Sequence, residues 1–272
     1  MKSKFFWRKT IPFLRCNTQT LKFSQGMAVS LKSMSLRCNN FPKTFLNFQP
    51  IATSLRLPGQ APDSMKKSLL IFDFDGTIAD TLMVALQILN ELGADYGLPH
   101  VDRDQFVELK QKTVTELMQL SGLSWFQLPG FVRKARASFR AHLSEVHPVA
   151  GIPETLRDLQ AQDFRMGILT SNTKEGVDAF LQQHDLQLFE FIHAPDSLFG
   201  KAKVIRKILS HEALRPDDVV MIGDELRDIE AAQKAGIDSV AVTWGFNTET
   251  LLQSATPSHV AHQPTDLLHL FG

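Results

Sequence analysis

Along the chain, apolar and polar positions first fall into a pattern at Leu69. Leu69–Phe72 (LLIF) is continuously apolar and runs into a Gly-containing turn signal, which predicts a short buried strand. After Asp80 the period changes. Leu82, Ala85, Leu86, Leu89 and Leu92 recur at helical spacing, and Gly93 and Gly97 then loosen it. Further helical segments are predicted at 102–110, 113–120 and 124–145, marked off by Gly122 and by the pair Pro129 and Gly130. No strand pattern interrupts this stretch. About 70 residues of helix between a first strand and the next is an insertion, because ordinary connections run to a few residues each.

From Pro148 the rhythm becomes a regular alternation. Helices are predicted at 152–162, 174–183, 201–210 and 226–235, and strands at 164–169, 189–193, 218–222 and 237–243. Strands separated by single helices imply right-handed βαβ units and a parallel sheet covered on both faces. The expected fold class is therefore α/β, with a Rossmann-like parallel core built from 65–80 and 148–272 and an all-helical insertion over 81–147. No Gly-x-Gly-x-x-Gly or P-loop follows any of these strands, which argues against dinucleotide and P-loop nucleotide chemistry.

Charge changes the picture of the N-terminal part. The net charge of zero hides an asymmetry: residues 1–64 carry ten Lys and Arg against the single acid Asp63, leaving 19 basic and 28 acidic residues in the remainder. So acidic a body is a poor match for a phosphate backbone, and nucleic acid is not an expected partner. The leader is basic, hydroxyl-rich and without periodicity, so it is expected to be disordered. Its apolar runs are too short for a membrane span, and no membrane partner is expected. Two readings of it stand: an organellar transit peptide, directing the protein to a plastid or mitochondrion, or an upstream extension of a soluble, cytoplasmic protein starting at Met65. Both cysteines, Cys16 and Cys38, fall in the leader, so the body has no thiol chemistry. Oligomeric state is not legible in the sequence.

The candidate chemistry begins where the first strand ends. Asp73 and Asp75 lie two apart on an extended chain and so point to the same face. Like charges there repel unless a cation lies beside them or one of the pair holds a proton. A calcium loop counted from Asp73 fails, because Ile78 would occupy its glycine position and Val84 its glutamate position. In an open parallel sheet ligands bind beyond the carboxyl ends of the strands. There the sequence places Asp73 and Asp75, then Thr170, Ser171 and Asn172, then Lys201 with Lys203 two residues on, then Asp224 with Asp228 one turn later. Singly, each has a plain reading as a helix cap or a solvated side chain. Together Asp73, Asp75 and Asp224 put three carboxylates on one rim with the Thr170 hydroxyl and the Lys201 ammonium.

The segments DFDGTIADT, LTSN, GKAK and GDELRDIEAA, in that order, resemble the four motifs of the haloacid dehalogenase superfamily, and the helical insertion resembles its cap. The likeness spans about residues 68–270 and is nearest to phosphoglycolate phosphatase-like hydrolases, with FGK and WGFN segments like those of small cyanobacterial-type members. The resemblance implies a phosphatase acting on a small phosphate ester, with Asp73 as nucleophile and Asp75 as general acid and base. It also implies phosphate binding by Thr170, Ser171, Asn172 and Lys201. Mg2+ would be held by Asp73, the backbone carbonyl of Asp75, and Asp224, with Asp228 as a partner behind them. A phosphomutase of the same superfamily or a catalytically inactive binding domain are the rivals. The basic run Phe131–Arg140 puts Arg133, Arg136 and Arg140 on one helix face, either as a solvated surface or as a reach toward the leaving group.

Overall fold

The structure, a computed structural model, describes residues 67–195 and 200–272. The expectations for residues 1–64 lie outside the described residues. The first strand, β1 (Leu69–Phe72), falls where the apolar run placed it. A tight turn follows, and the two-residue strand β2 (Ala79–Asp80) pairs antiparallel with β3 (His147–Pro148). Between these two strands run α1 (Leu82–Gly93), α2 (Arg103–Leu109), α3 (Val114–Ser121) and α4 (Leu128–Ala141).

The rest of the chain alternates: α5 (Ile152–Ala161), β4 (Arg165–Leu169), α6 (Lys174–Gln183), β5 (Phe191–His193), α7 (Lys201–His211), β6 (Val219–Gly223), α8 (Leu226–Ala235) and β7 (Asp238–Val242). It closes with α9 (Glu249–Ser254), β8 (His259–Ala261) and α10 (Thr265–Phe271), which the pattern of apolar positions did not mark. Six strands form one parallel sheet in the order β5-β4-β1-β6-β7-β8.

Why β1 and β6 read as unbroken apolar runs is explained by the two layers that cover them. Leu70, Phe72, Val220 and Ile222 pack with Leu156 and Leu159 of α5 and with Val177 and Phe180 of α6. Their neighbours Leu69, Ile71, Val219 and Met221 face the other way, onto Ile205 and Ile208 of α7 and Ala231 and Ala232 of α8. A strand buried on both faces has no polar side to alternate with.

The helix expected over 124–145 is shorter than its pattern. Pro129 lies in the first turn of α4, where a missing N–H does no harm, and the helix ends at Ala141 before a short 3-10 turn, Leu143–Glu145. Pro129 and Gly130 therefore sit inside the helix and do not separate two. The strand expected at 189–193 begins only at Phe191, because Glu190 N–H is taken by Met166 O ahead of the regular ladder.

From β1 the chain moves outward through β4 to β5, then returns to the other flank of β1 at β6. That reversal is the switch point at which open parallel sheets leave a crevice. Asp73 and Asp224 stand at the ends of the two strands that flank it. Among the described residues, no helix is long and apolar enough to cross a membrane.

Candidate active site

Asp73 extends the ladder by one bond, its N–H donating to Ile222 O at 2.8 Å, so its carboxylate is fixed at the crevice floor. Oδ1 accepts from the N–H of Phe74 at 2.8 Å, and Oδ2 lies 2.8 Å from Lys201 Nζ. Lys201 opens α7 and is 2% exposed; its ammonium also donates to Asp228 Oδ1 at 2.6 Å. Burial opposes a charge on this lysine. The carboxylates of Asp228 and Asp73 outweigh it and hold the ammonium above the usual lysine range. Lys203, on the same helix, is exposed to solvent.

Asp224 follows β6 and is fully buried. The Thr77 hydroxyl donates to its Oδ1 at 2.6 Å and the Phe246 N–H to its Oδ2 at 2.7 Å. Two glycines make room for it. Gly76, with φ of 77°, lies where a Cβ would fall on Asp224 Oδ2 and on the ring of Phe246, and a Cβ at Gly245 would overlap the same carboxylate. Asp228 lies one turn into α8; its Oδ1 is held by Lys201, and its Oδ2 accepts from the N–H of Glu225 at 3.2 Å as part of a capping box.

Carboxylate oxygens of Asp73, Asp224 and Asp228 come within 4.8 Å of one another. Burial first, and then the charges of Asp73 and Asp228, push the Asp224 carboxyl up to about 8; burial raises Asp228 to about 6 against the pull of Lys201. Three crowded carboxylates with one ammonium among them are short of positive charge. A small, hard cation with oxygen ligands answers that shortage.

Asp75 is turned to the same cleft and partly open to it. Burial, and after it the charge of Asp73, raises its carboxyl to about 7, against the amide of Asn172, whose Nδ2 lies 3.3 Å from both carboxylate oxygens. The two aspartates of the opening motif thus differ in surroundings: one lies against an ammonium, the other against a neutral amide.

Thr170 and Asn172 are buried at the end of β4, and the role of helix cap falls to Thr173, whose hydroxyl accepts from Gly176 N–H at 3.2 Å. Asn172 Oδ1 accepts from the Thr173 N–H at 2.7 Å, which turns its Nδ2 to Asp75. The N–H of Asn172 donates to Thr170 Oγ1 at 2.9 Å, and that of Gly76 to Ala79 O at 2.8 Å. These two amides are therefore engaged within the chain, and Asn172 meets the site through its side chain.

The basic run of α4 stands apart from this cluster. Arg133 is exposed, Arg140 faces Glu175 at 3.9 Å, and Arg136 reaches the carbonyl of Pro195 at 3.3 Å, beyond the end of β5. Sequence reasoning passed over Thr77, the Phe246 amide, Asn247 and Arg227. Asn247 ties the site to the insertion: its Oδ1 accepts from Leu226 N–H at 2.8 Å, and its Nδ2 donates to Lys110 O at 3.3 Å. The WGFN segment was the available signal for two of these four. Trp244 adds a bond from Nε1 to Thr77 O at 3.1 Å.

The parallel sheet thus gathers buried carboxylates around one lysine at its switch point. Residues 70–242 match the family model of the haloacid dehalogenase-like hydrolases, and the chain belongs to that family. A phosphoglycolate phosphatase of Synechococcus elongatus is 32% identical over 200 residues, covering 73% of this chain and 94% of that protein. A pyrophosphatase, PpaX, of Bacillus mycoides is 23% identical over 213 residues, covering 76% and 98%. Among solved structures, a haloacid dehalogenase-like family protein of Streptococcus pneumoniae superposes with a TM-score of 0.64 at 24% identity, covering 76% of this chain and 99% of that one. At that identity the likeness speaks for the fold.

Proposed function

We propose that the protein is a Mg2+-dependent phosphomonoester hydrolase acting on a small phosphorylated metabolite, with phosphoglycolate as the leading substrate. The observation that carries this reading is the contrast between Asp73, bonded to Lys201, and Asp75, whose carboxyl is raised to about 7 in the same cleft. A general acid must hold a proton, which the raised carboxyl of Asp75 provides, while the attacking carboxylate of Asp73 lies against the ammonium of Lys201. The relative of Synechococcus elongatus supports the choice of substrate.

In the first half-reaction an oxygen of Asp73 attacks phosphorus, the ester P–O bond breaks, and the leaving alkoxide takes the proton of Asp75. In the second, Asp75 takes a proton from water as the water oxygen attacks phosphorus, releasing inorganic phosphate and restoring the Asp73 carboxylate. Lys201 and the Thr170 hydroxyl would neutralise and orient the phosphoryl oxygens. Asn172 holds the Asp75 carboxyl in place.

Asp73, Asp224 and the carbonyl of Asp75 would hold Mg2+, with Asp228 behind them bridging to Lys201. When bound, the ion offsets the charge of the carboxylates and of the incoming phosphate. The helices α1 to α4 would be the segment that selects the leaving group, a reading supported by the bond from Asn247 to Lys110 of the insertion. A panel of phosphorylated metabolites assayed with full-length protein, with and without Mg2+, tests the reading. Hydrolysis of phosphoglycolate that depends on Mg2+ is expected, and silence across the panel would sink the hydrolase assignment.

A further inference from the structure

Arg227 occupies the first turn of α8, between Asp224 and Asp228, and has no part in the mechanism above. Its side chain is 15% exposed, and it crosses the crevice from the end of β6 toward the end of β4. Nε is paired with the Glu225 carboxylate, and Nη2 lies 3.4 Å from Ser171 Oγ. Its charge acts on three groups of the site: it stabilises the ionised forms of Asp75 and Asp228, and it opposes the ammonium of Lys201.

In-line displacement fixes which side of phosphorus this arginine serves. The leaving oxygen departs opposite the attacking oxygen of Asp73 and must be within reach of its proton donor, Asp75. Lys201, not Arg227, contacts Asp73. Arg227 instead approaches Ser171, and its charge acts on Asp75, which sets it beside the proton donor on the leaving-group side. It also lines an open cavity of about 550 Å³ between the helical insertion and the start of α8, whose walls include Leu89, Leu117, Met118 and Phe131. Against so apolar a wall a guanidinium pairs strongly with any anion that reaches it. The described contacts use its Nε and Nη2, while the planar fork has five N–H donors in all and matches a carboxylate in two-point contact.

We propose that Arg227 determines specificity by binding a carboxylate carried on the leaving group of the phosphomonoester. This rests on the hydrolase reading above and adds a residue to it. Bound so, the substrate is held at both ends, its phosphoryl group by Lys201 and Thr170 and its carboxylate by Arg227, with the bridging ester oxygen left beside Asp75. Glu225 keeps the guanidinium extended across the cleft and turned to Ser171. The other partly buried arginine of the region, Arg136, donates to the carbonyl of Pro195 beyond β5 and serves as the comparison.

The test compares kcat/KM of the full-length protein for 2-phosphoglycolate and for 2-hydroxyethyl phosphate, which is of similar size and lacks the carboxylate. Wild type is expected to favour phosphoglycolate. Arg227→Gln should lower that ratio by about 10- to 100-fold, the weight of a charge-assisted hydrogen bond, with Arg227→Lys between the two. Arg136→Gln should leave the ratio in place. Melting curves check that each variant folds; should Arg227→Gln not fold, Arg227→Lys and Glu225→Gln read the same ratio. A ratio near one in wild type, an unchanged ratio in the Arg227 variants, or a collapse confined to Arg136→Gln each overturns the proposal. Failure of wild type to hydrolyse either ester or nitrophenyl phosphate removes the hydrolase reading instead.

Discussion

Lys201 Nζ lies 2.8 Å from Asp73 Oδ2 with both side chains almost wholly buried. A second contact, 2.6 Å to Asp228 Oδ1, makes this ammonium the tie between β1, α7 and α8. Lys201→Met leaves two buried carboxylates facing each other without it. Breaking a buried pair in this way costs about 3–5 kcal/mol. The deficit should appear in metal-free urea melts at pH 8 and shrink toward pH 5, because Asp228, whose carboxyl burial raises to about 6, takes up a proton as pH falls. An equal deficit at both pH values would show that the loss comes from packing.

Asp73→Asn and Asp75→Asn should fail in different ways. An amide cannot replace the attacking carboxylate, so Asp73→Asn is expected to show background hydrolysis and no phosphoenzyme. Asp75→Asn keeps the nucleophile and loses the proton shuttle, a loss of about 10²- to 10⁴-fold for alkyl phosphates. With nitrophenyl phosphate, whose leaving group needs no proton, the loss in the first step should be smaller and phosphoenzyme should accumulate. Intact-protein mass spectrometry after rapid quench reads the added phosphoryl group. Label on Asp73→Asn and none on Asp75→Asn would reverse the two roles.

What the sequence made legible follows from how each feature is encoded. The core strands were readable because a strand buried on both faces must be apolar throughout, as Leu69–Phe72 and Val219–Gly223 are. The choice of Lys201 over Lys203 follows from its place at the first residue of α7, aimed at the strand ends. Strands β2 and β3, at two residues each, carry no period to detect. The partners of Asp224 were hidden for another reason: one is the backbone amide of Phe246 and the other a threonine hydroxyl 147 positions away, and neither leaves a pattern along the chain. Arg227 was overlooked because a lone arginine in a helix reads as solvated surface.

The pH profile should follow Asp75. Its carboxyl, raised to about 7 by burial and by Asp73, loses its proton as pH rises through that value. For alkyl phosphates kcat/KM reports the first half-reaction, which needs the protonated form, and should fall above about pH 7 by up to tenfold per pH unit. Nitrophenyl phosphate should show a flatter limb. A profile in which both substrates fall together would assign the limb to another group.

Metal removal couples to the same carboxyls. Asp75, Asp224 and Asp228 all have folded pKa values raised to about 6–8, above the ordinary aspartate value. Their contribution to stability is therefore fully present at low pH and is lost as pH rises through those values, since the folded state then gives up protons it holds more tightly than the unfolded chain does. EDTA should abolish turnover, and added Mg2+ should restore it. Mg2+ should also raise Tm, and more at pH 8 than at pH 5, because the ion binds ionised carboxylates and competes with protons. A Tm indifferent to Mg2+ at pH 8 would count against the site.

Thr77→Val separates Asp224, the proposed Mg2+ ligand, from the support that aims it. The valine keeps the shape and removes the hydroxyl that donates to Asp224 Oδ1 at 2.6 Å. Removing one partner of a buried hydrogen bond costs about 1–3 kcal/mol, so the metal-free protein should melt lower. The larger expectation concerns Mg2+. An aspartate held only by the Phe246 amide can rotate, and loss of a supporting partner typically weakens metal affinity about 10- to 100-fold. The Mg2+ concentration for half-maximal activity should rise by that factor while kcat at saturating Mg2+ stays near wild type, because Thr77 touches no reacting atom. Gly245→Ala attacks the same carboxylate by bulk, since its Cβ would overlap it, and should lose kcat as well. If Thr77→Val lowers kcat at saturating Mg2+ and leaves the metal requirement unchanged, the hydroxyl serves the phosphoryl group directly and the support role assigned to it is wrong.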